Sequence, residues 1–183
     1  YLAPGEATFL VMAADEGHAE LSPLFDPSVA VSSPISDGGG VLVLSRRPVA
    51  GAPTISLKHF ETGVDDRIMP DRLIDALGDR IGRTGLVLVG IPEAQRSMGQ
   101  AQLDHFIAHT GYSGPIIDYR RQIGEFASAS AVAAVFAAAM VKRPNRFECS
   151  SAIQAPTVLV LGLGSSLTAM EVSPYEGSAD IGK

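Results

Sequence analysis

The sequence is poor in the residues that most directly announce a function. It has one cysteine, Cys149, and no tryptophan. A single cysteine excludes both an internal disulfide framework and a cysteine-rich zinc site. Charged residues are only 19% of the chain and aromatic residues 6%. The net charge of −6, with a pI near 5.1, leaves no basic surface for a polyanion and argues against a nucleic-acid partner. No G-x-S-x-G elbow occurs, so a hydrolase reading has no anchor. A strongly apolar run long enough to cross a bilayer is missing as well. The stretch from Phe126 to Val141 carries no charge. It is mostly alanine and serine, and it falls short of the roughly 20 apolar residues that cross a bilayer. No signal peptide is visible. These absences describe a soluble, cytoplasmic chain without a membrane segment.

What is present is apolar: 46% of 183 residues are hydrophobic, too many for a disordered chain and enough for a sizeable core. The length fits one domain or part of a larger one. The chain opens at Tyr1 and passes almost at once into Thr8-Phe9-Leu10-Val11-Met12-Ala13. That mid-fold start predicts a processed or partial piece with residues preceding it.

Patterns along the chain alternate between strand and helix. The continuous apolar run Thr8 to Ala13 predicts a strand buried on both faces, and Val41 to Leu44, launched by Asp37-Gly38-Gly39-Gly40, predicts a second. Leu21 to Ser36 reads as loop. Thr54 to Phe60 reads as a half-exposed strand. Pro70-Asp71 starts a helix with Leu73, Ile74, Leu77 and Ile81 on one face, ended by Gly78 or Gly82. Leu86 to Val89 is a strand. Ser97 to His109 is an amphipathic helix with Leu103, Phe106 and Ile107 inward, stopped near Gly111. Ile116-Ile117 is a short strand. Thr157 to Leu161 and Leu167 to Val172 form a closing hairpin-like pair, after a mobile loop from Pro144 to Pro156.

This order is α/β. The stretch Phe126 to Val141 adds something narrower. Glu125 stands at its positive end and Lys142-Arg143 at its negative end, as the helix dipole favours. A helix apolar on every face has to be buried on every side, and a helix layer between two sheets satisfies that.

Local sequence resembles the later half of a β-ketoacyl synthase of the thiolase-fold family. Gly5-Glu6-Ala7-Thr8 through Glu16 is similar to the strand ending the first half of such enzymes. Leu21-Ser22-Pro23 with Phe25-Asp26, then Ser36-Asp37-Gly38-Gly39-Gly40-Val41-Leu42-Val43-Leu44, is similar to the loop and glycine-led strand that follow. Gln122-Ile123-Gly124-Glu125 with the alanine-rich helix resembles the block carrying the second active-site histidine. Gly162-Leu163-Gly164-Ser165-Ser166-Leu167-Thr168 resembles the terminal glycine loop. The match is collinear from Tyr1 to Val172. It implies a layered αβαβα thiolase-like fold of which this chain supplies the C-terminal half, with the N-terminal half on another polypeptide or segment.

The departures from the family pattern decide the expected chemistry. The family's nucleophilic cysteine lies upstream of this chain, which cannot supply it. Laying Val89 to Gln100 on the first histidine block puts Pro92 at the histidine, and the second block puts Glu125 there. Proline has no side-chain donor. An ionised carboxylate only accepts hydrogen bonds and repels a developing oxyanion, and losing one oxyanion donor costs ~3 kcal/mol of transition-state stabilisation. The resemblance therefore implies a chain-length-factor-like subunit in fatty-acid or polyketide assembly. Such a subunit shapes an acyl pocket, or stabilises an active ketosynthase-like partner, in a dimer or larger assembly. Leu163, Gly164 and Ser165 would line the pocket, and Arg120-Arg121 is a candidate contact for an acyl carrier protein. No cofactor is implied. Two alternatives stand beside this one. The complete protein could be an active acyltransferase that uses a cysteine from the absent half, with Glu125 as base. Or the chain is a stand-alone α/β binding module.

Other residues have plainer readings. Cys149 lies in a polar loop without a neighbouring histidine and reads as an ordinary thiol. His105 and His109 are spaced i, i+4 beside Asp104, but zinc needs a third ligand, so a solvated helix face is simpler and no metal is expected. Gly162-x-Gly164 lacks the third glycine of a dinucleotide fingerprint. Asp65-Asp66 and Asp71 read as solvated charges. Gly38 to Gly40 precedes a strand, not a helix, and so makes no phosphate cradle.

Overall fold

The computed structural model describes residues 8–16, 36–46, 49–63, 69–126, 128–144 and 157–175. Among them the order is β1 (Thr8–Asp15), β2 (Gly38–Ser45), β3 (Pro53–Thr62), α1 (Asp71–Leu77), β4 (Thr84–Gly90), α2 (Arg96–Thr110), β5 (Ile116–Asp118), α3 (Tyr119–Ile123), α4 (Ala129–Lys142), β6 (Thr157–Gly162) and β7 (Ser166–Pro174). The predicted loops at 21–35 and 145–156, with Cys149, lie outside the described residues, as do Asp65 and Asp66.

The two most apolar strands form the centre. β4 and β6 pair in parallel, with Val87 opposite Leu159 and Val89 opposite Leu161. β5 adds in parallel on the other side of β4, and β7 and β3 add antiparallel beyond β6, giving the order β3-β7-β6-β4-β5. The predicted closing hairpin is thus the β6–β7 pair. Strand alternation then splits the core in two. Val87, Val89, Leu159 and Leu161 face Leu73 and Leu77 of α1 and Leu103 and Phe106 of α2. Leu86, Leu88, Val158 and Val160 face Ala129, Ala133, Ala137 and Val141 of α4. Side chains buried this completely contribute roughly 1.5–3 kcal/mol each, which is why both faces of a parallel pair must be covered. Gly111 ends α2 in the left-handed region (φ 65°), where its amide reaches the Ile107 carbonyl at 2.9 Å.

α4 has a sheet on each side. One side meets β6, β7, β3 and β4, and the other meets β2 of a separate β1–β2 ribbon. Small residues make that approach possible. A Cβ on Gly40 would stand 2.8 Å from the Ala131 carbonyl oxygen, and one on Gly38 would strike the Phe126 ring. Ser128, at the helix start, spends its hydroxyl on the Gly38 carbonyl at 3.3 Å, not on a cap. The layers run helix pair, five-stranded sheet, helix, ribbon: a mixed α/β fold. Among the described residues no helix is long and apolar enough to cross a membrane.

Two expectations need correction. The helix begins at Ala129, not Phe126, and it is not sealed all round, since Ser130 and Phe136 face outward. β1 and β2 are not buried on both faces either. Leu10, Met12, Val41 and Val43 are exposed by 61, 67, 54 and 70%. The register pairs Leu10 with Val43 and Met12 with Val41, so these four share the ribbon face turned away from α4. A two-stranded ribbon with one helix beneath it has only one covered face.

The close contact between Gly40 and the backbone of α4 gives a direct test. Gly40→Val should lower the stability of the chain to urea unfolding by about 1–3 kcal/mol, because backbone cannot yield as a side chain can. Val41→Ala, on the open face, should stay within about 0.5 kcal/mol. Equal midpoints for the two variants would contradict this packing.

Candidate functional site

β4, β5 and β6 are parallel and end at Gly90, Asp118 and Gly162. The chain leaves β4 for α2 on one face and leaves β5 for α4 on the other. In open α/β sheets such a divergence at the carboxyl ends of the strands opens the crevice where ligands bind. The residues singled out from sequence gather at this edge, and the structure sorts them into two groups.

The first group is the terminal glycine loop with the segment after β4. Leu163 N–H donates to the Gly90 carbonyl at 3.0 Å. Gly164 N–H donates to Gln102 Oε1 at 2.7 Å, and Gln102 Nε2 donates back to the Gly164 carbonyl at 3.3 Å. Ser165 N–H donates to Gln95 Oε1 at 2.7 Å while Gln95 Nε2 donates to Ser165 Oγ at 2.9 Å. Two side-chain amides and the Gly90 carbonyl thus clamp three consecutive residues. Gly164 sits at φ 128°, where any other residue is strained, and a Cβ there would lie 2.2 Å from Gln95 Oε1 and so displace that amide from the loop. Pro92 is buried, and its carbonyl accepts from Gln95 N–H at 2.9 Å. Pro92 and the loop are therefore brought together through Gln95. Leu163 itself packs into the α1–α2 core, so its side chain is not available to line an open pocket.

The second group surrounds Glu125. Its carboxylate accepts from Arg120 Nη1 at 2.7 Å, with both side chains buried. The expected stabilisation of Glu125 by the α4 dipole is not found. The helix starts only at Ala129, and the Arg120 guanidinium supplies the countercharge instead. Arg120 is correspondingly not part of an exposed pair. Arg121 is exposed and lies 3.6 Å from Asp118. Asp118 also accepts from Arg96 and caps α3 through the Arg120 N–H at 3.1 Å. Arg96 contacts Glu93 at 2.9 Å as well. Burial works against its charge, but the hydrogen bonds and fields of Asp118 and Glu93 outweigh that and raise its pKa. Tyr119 joins the groups: a Cβ on Gly90 would lie 2.1 Å from its hydroxyl oxygen, so β4 must end in glycine for the ring to lie there.

Gln95 and Gln102 were not singled out from sequence. Gln102 had a legible mark. It shares a helical face with Gly99, Leu103 and Phe106, and a polar residue on an apolar stripe needs a partner. Gln95 had none, since its role depends on a loop 70 positions away. A groove of about 700 Å³ lies apart from these residues, lined by Phe9, Val43, Leu44, Ile55 and Tyr175 among others.

The chemistry open to this edge is narrow. Three loop amides, the usual material of an oxyanion hole, are each engaged within the chain. Pro92 offers no proton, and Glu125 is an ion-pair partner. Comparison with models of known protein families gives no match, and comparison with curated proteins gives none.

Two measurements check this description. Arg120→Met should destabilise by about 3–5 kcal/mol by leaving the Glu125 charge buried alone, and adding Glu125→Leu should recover most of the loss. A double variant no better than the single one would contradict the pairing. The second concerns pH. Burial raises the Tyr119 hydroxyl pKa, with Arg120 opposing, and burial pushes Tyr112 up to about 12. Folding favours the neutral phenols, so their contribution is complete below about pH 10 and is lost as pH rises through the folded values. Tyrosinate absorbance should show Tyr119 ionising only with unfolding, and Tyr119→Phe should flatten the alkaline fall in stability. Free titration of Tyr119 in the folded chain would contradict its burial.

Proposed function

We propose that this chain is the later half of a thiolase-like, β-ketoacyl-synthase-like subunit of the chain-length-factor kind. It shapes an acyl pocket with a partner in fatty-acid or polyketide assembly and does not itself condense thioesters. The observation that carries this reading is the state of the glycine loop. The Leu163, Gly164 and Ser165 amides are all satisfied by protein acceptors, so none is aimed at a substrate oxygen. The buried Arg120–Glu125 pair where the resemblance implies a histidine supports it. So does the layering of α4 between a sheet and a ribbon, the arrangement expected of a thiolase-like half.

On this reading the N-terminal half comes from another polypeptide or segment, and the working assembly is a cytoplasmic dimer or larger complex with a ketosynthase-like partner. An acyl carrier protein would deliver the chain, with exposed Arg121 able to meet its acidic surface and Arg120 kept for structure. No observation favours the acyltransferase alternative, because Glu125 is committed to Arg120. The stand-alone module is disfavoured by the uncovered Leu10, Met12, Val41 and Val43 face.

The test uses the full chain with malonyl- and long-chain acyl-carrier thioesters, read by intact mass and by product analysis. The chain should bind acyl-carrier thioester, form no covalent acyl adduct, and release no condensed or decarboxylated product. An adduct on Cys149, or turnover by the chain alone, would overturn the proposal.

A further inference from the structure

On the other side of the five-stranded sheet, away from the Arg120–Glu125 pair, three metal-ligating side chains meet at the junction of α1 and α2. We propose that Asp71, His105 and His109 form a binding site for a divalent first-row metal ion, with zinc as the occupant. The inference does not rest on the functional reading above.

The two histidines are one helical turn apart on α2, and their rings stack with centroids 3.7 Å apart and planes 22° from parallel. His109 Nδ1 lies 3.0 Å from the His105 carbonyl oxygen. A carbonyl only accepts, so Nδ1 carries the proton and the neutral ring keeps its lone pair on Nε2. A backbone carbonyl that fixes the tautomer this way is the outer-shell partner that metal-ligating histidines use. His105 Nε2 lies 2.6 Å from Asp71 Oδ1, which reaches it from the first turn of α1, 34 positions away. One ligand atom from each of the three residues lies within 4.8 Å of the others.

Ligands around a zinc ion at about 2.1 Å stand roughly 3.4 Å apart. Asp71 Oδ1 and His105 Nε2 stand closer than that, because the ring N–H donates to the carboxylate at 2.6 Å. Zinc takes the place of that proton, the exposed Asp71 side chain draws back, and the two stacked rings turn so that both lone pairs meet one ion. Two imidazoles and a carboxylate suit zinc and its neighbours, whereas calcium and magnesium prefer oxygen alone. Three protein ligands leave a fourth position for water. The bond to Asp71 would tie α1 to α2 across the top of their shared core, next to Leu73, Leu103 and Phe106. From sequence the third ligand was missing. Adjacent Asp104 is not it, since that side chain accepts from Gln100 at 2.9 Å. The fold supplies Asp71.

Tag-free full chain should bind one zinc ion in calorimetry, and its cobalt form should show the visible absorption of a four-coordinate site. Zinc at a hundredfold excess over Kd should raise Tm by roughly 5–10 °C. His109→Ala and Asp71→Asn, each checked to be folded by circular dichroism, should weaken zinc binding more than about 100-fold. Among the chain's 4 histidines, cobalt should shift the NMR signals of His105 and His109 and spare His18 and His59, an assignment that needs no variant. Absence of stoichiometric binding, unchanged affinity in both folded variants, or shifts confined to His18 and His59 would overturn the proposal.

Discussion

The rest of the structure depends on how closely α4 lets two sheets approach it. Ala133 and Ala137 are fully buried toward the five-stranded sheet, while on the opposite side Gly40 leaves no room for a methyl group above Ala131. A helix of larger residues would hold the ribbon away, and β1–β2, an isolated antiparallel pair, has little stability of its own. The same approach sets what precedes the helix. Phe126 is pinned beneath Gly38, Ser128 is bonded to the Gly38 carbonyl, and Glu125 is thereby directed to Arg120. Tyr119, the residue before that arginine, then lies across Gly90 at the end of the central strand.

From this frame follows a site built to hold still. Charge at its centre is balanced, and the loop that closes it is clamped by Gln95 and Gln102. A catalytic edge leaves donors free in advance for a charge that develops later, and each such donor is worth ~3 kcal/mol to the transition state. Here the donors have been used to stabilise the ground state of the protein itself. A buried ion pair adds little net stability over an apolar pair, yet either charge left alone is costly, so it fixes conformation more than it adds energy. That balance is what the proposed pocket-shaping role would call for.

Much of the fold was legible because its strongest patterns are local. Leu86 to Val89 and Thr157 to Leu161 read as strands, and Gly111 as a helix stop, because neighbouring residues alone determine both. The ribbon was misread for a physical reason. Thr8 to Ala13 is as apolar as β4, and a continuous apolar run shows that a strand can be covered, not that this chain covers it. The site was half legible. Pro92, Glu125 and the glycine loop could be marked, but the pairing of Glu125 with Arg120 and the grip of Gln95 and Gln102 depend on tertiary approach. The same holds for Asp71, whose partner lies 34 positions on.

Hydrogen–deuterium exchange of the α4 backbone tests the central claim most directly. If the helix is held between sheet and ribbon, the amides of Val132 to Ala138 should exchange as slowly as those of β4 and β6, through opening of the whole core. Exchange of those amides at the rate of the outer helix α1, while β4 and β6 stay protected, would show that α4 is not enclosed.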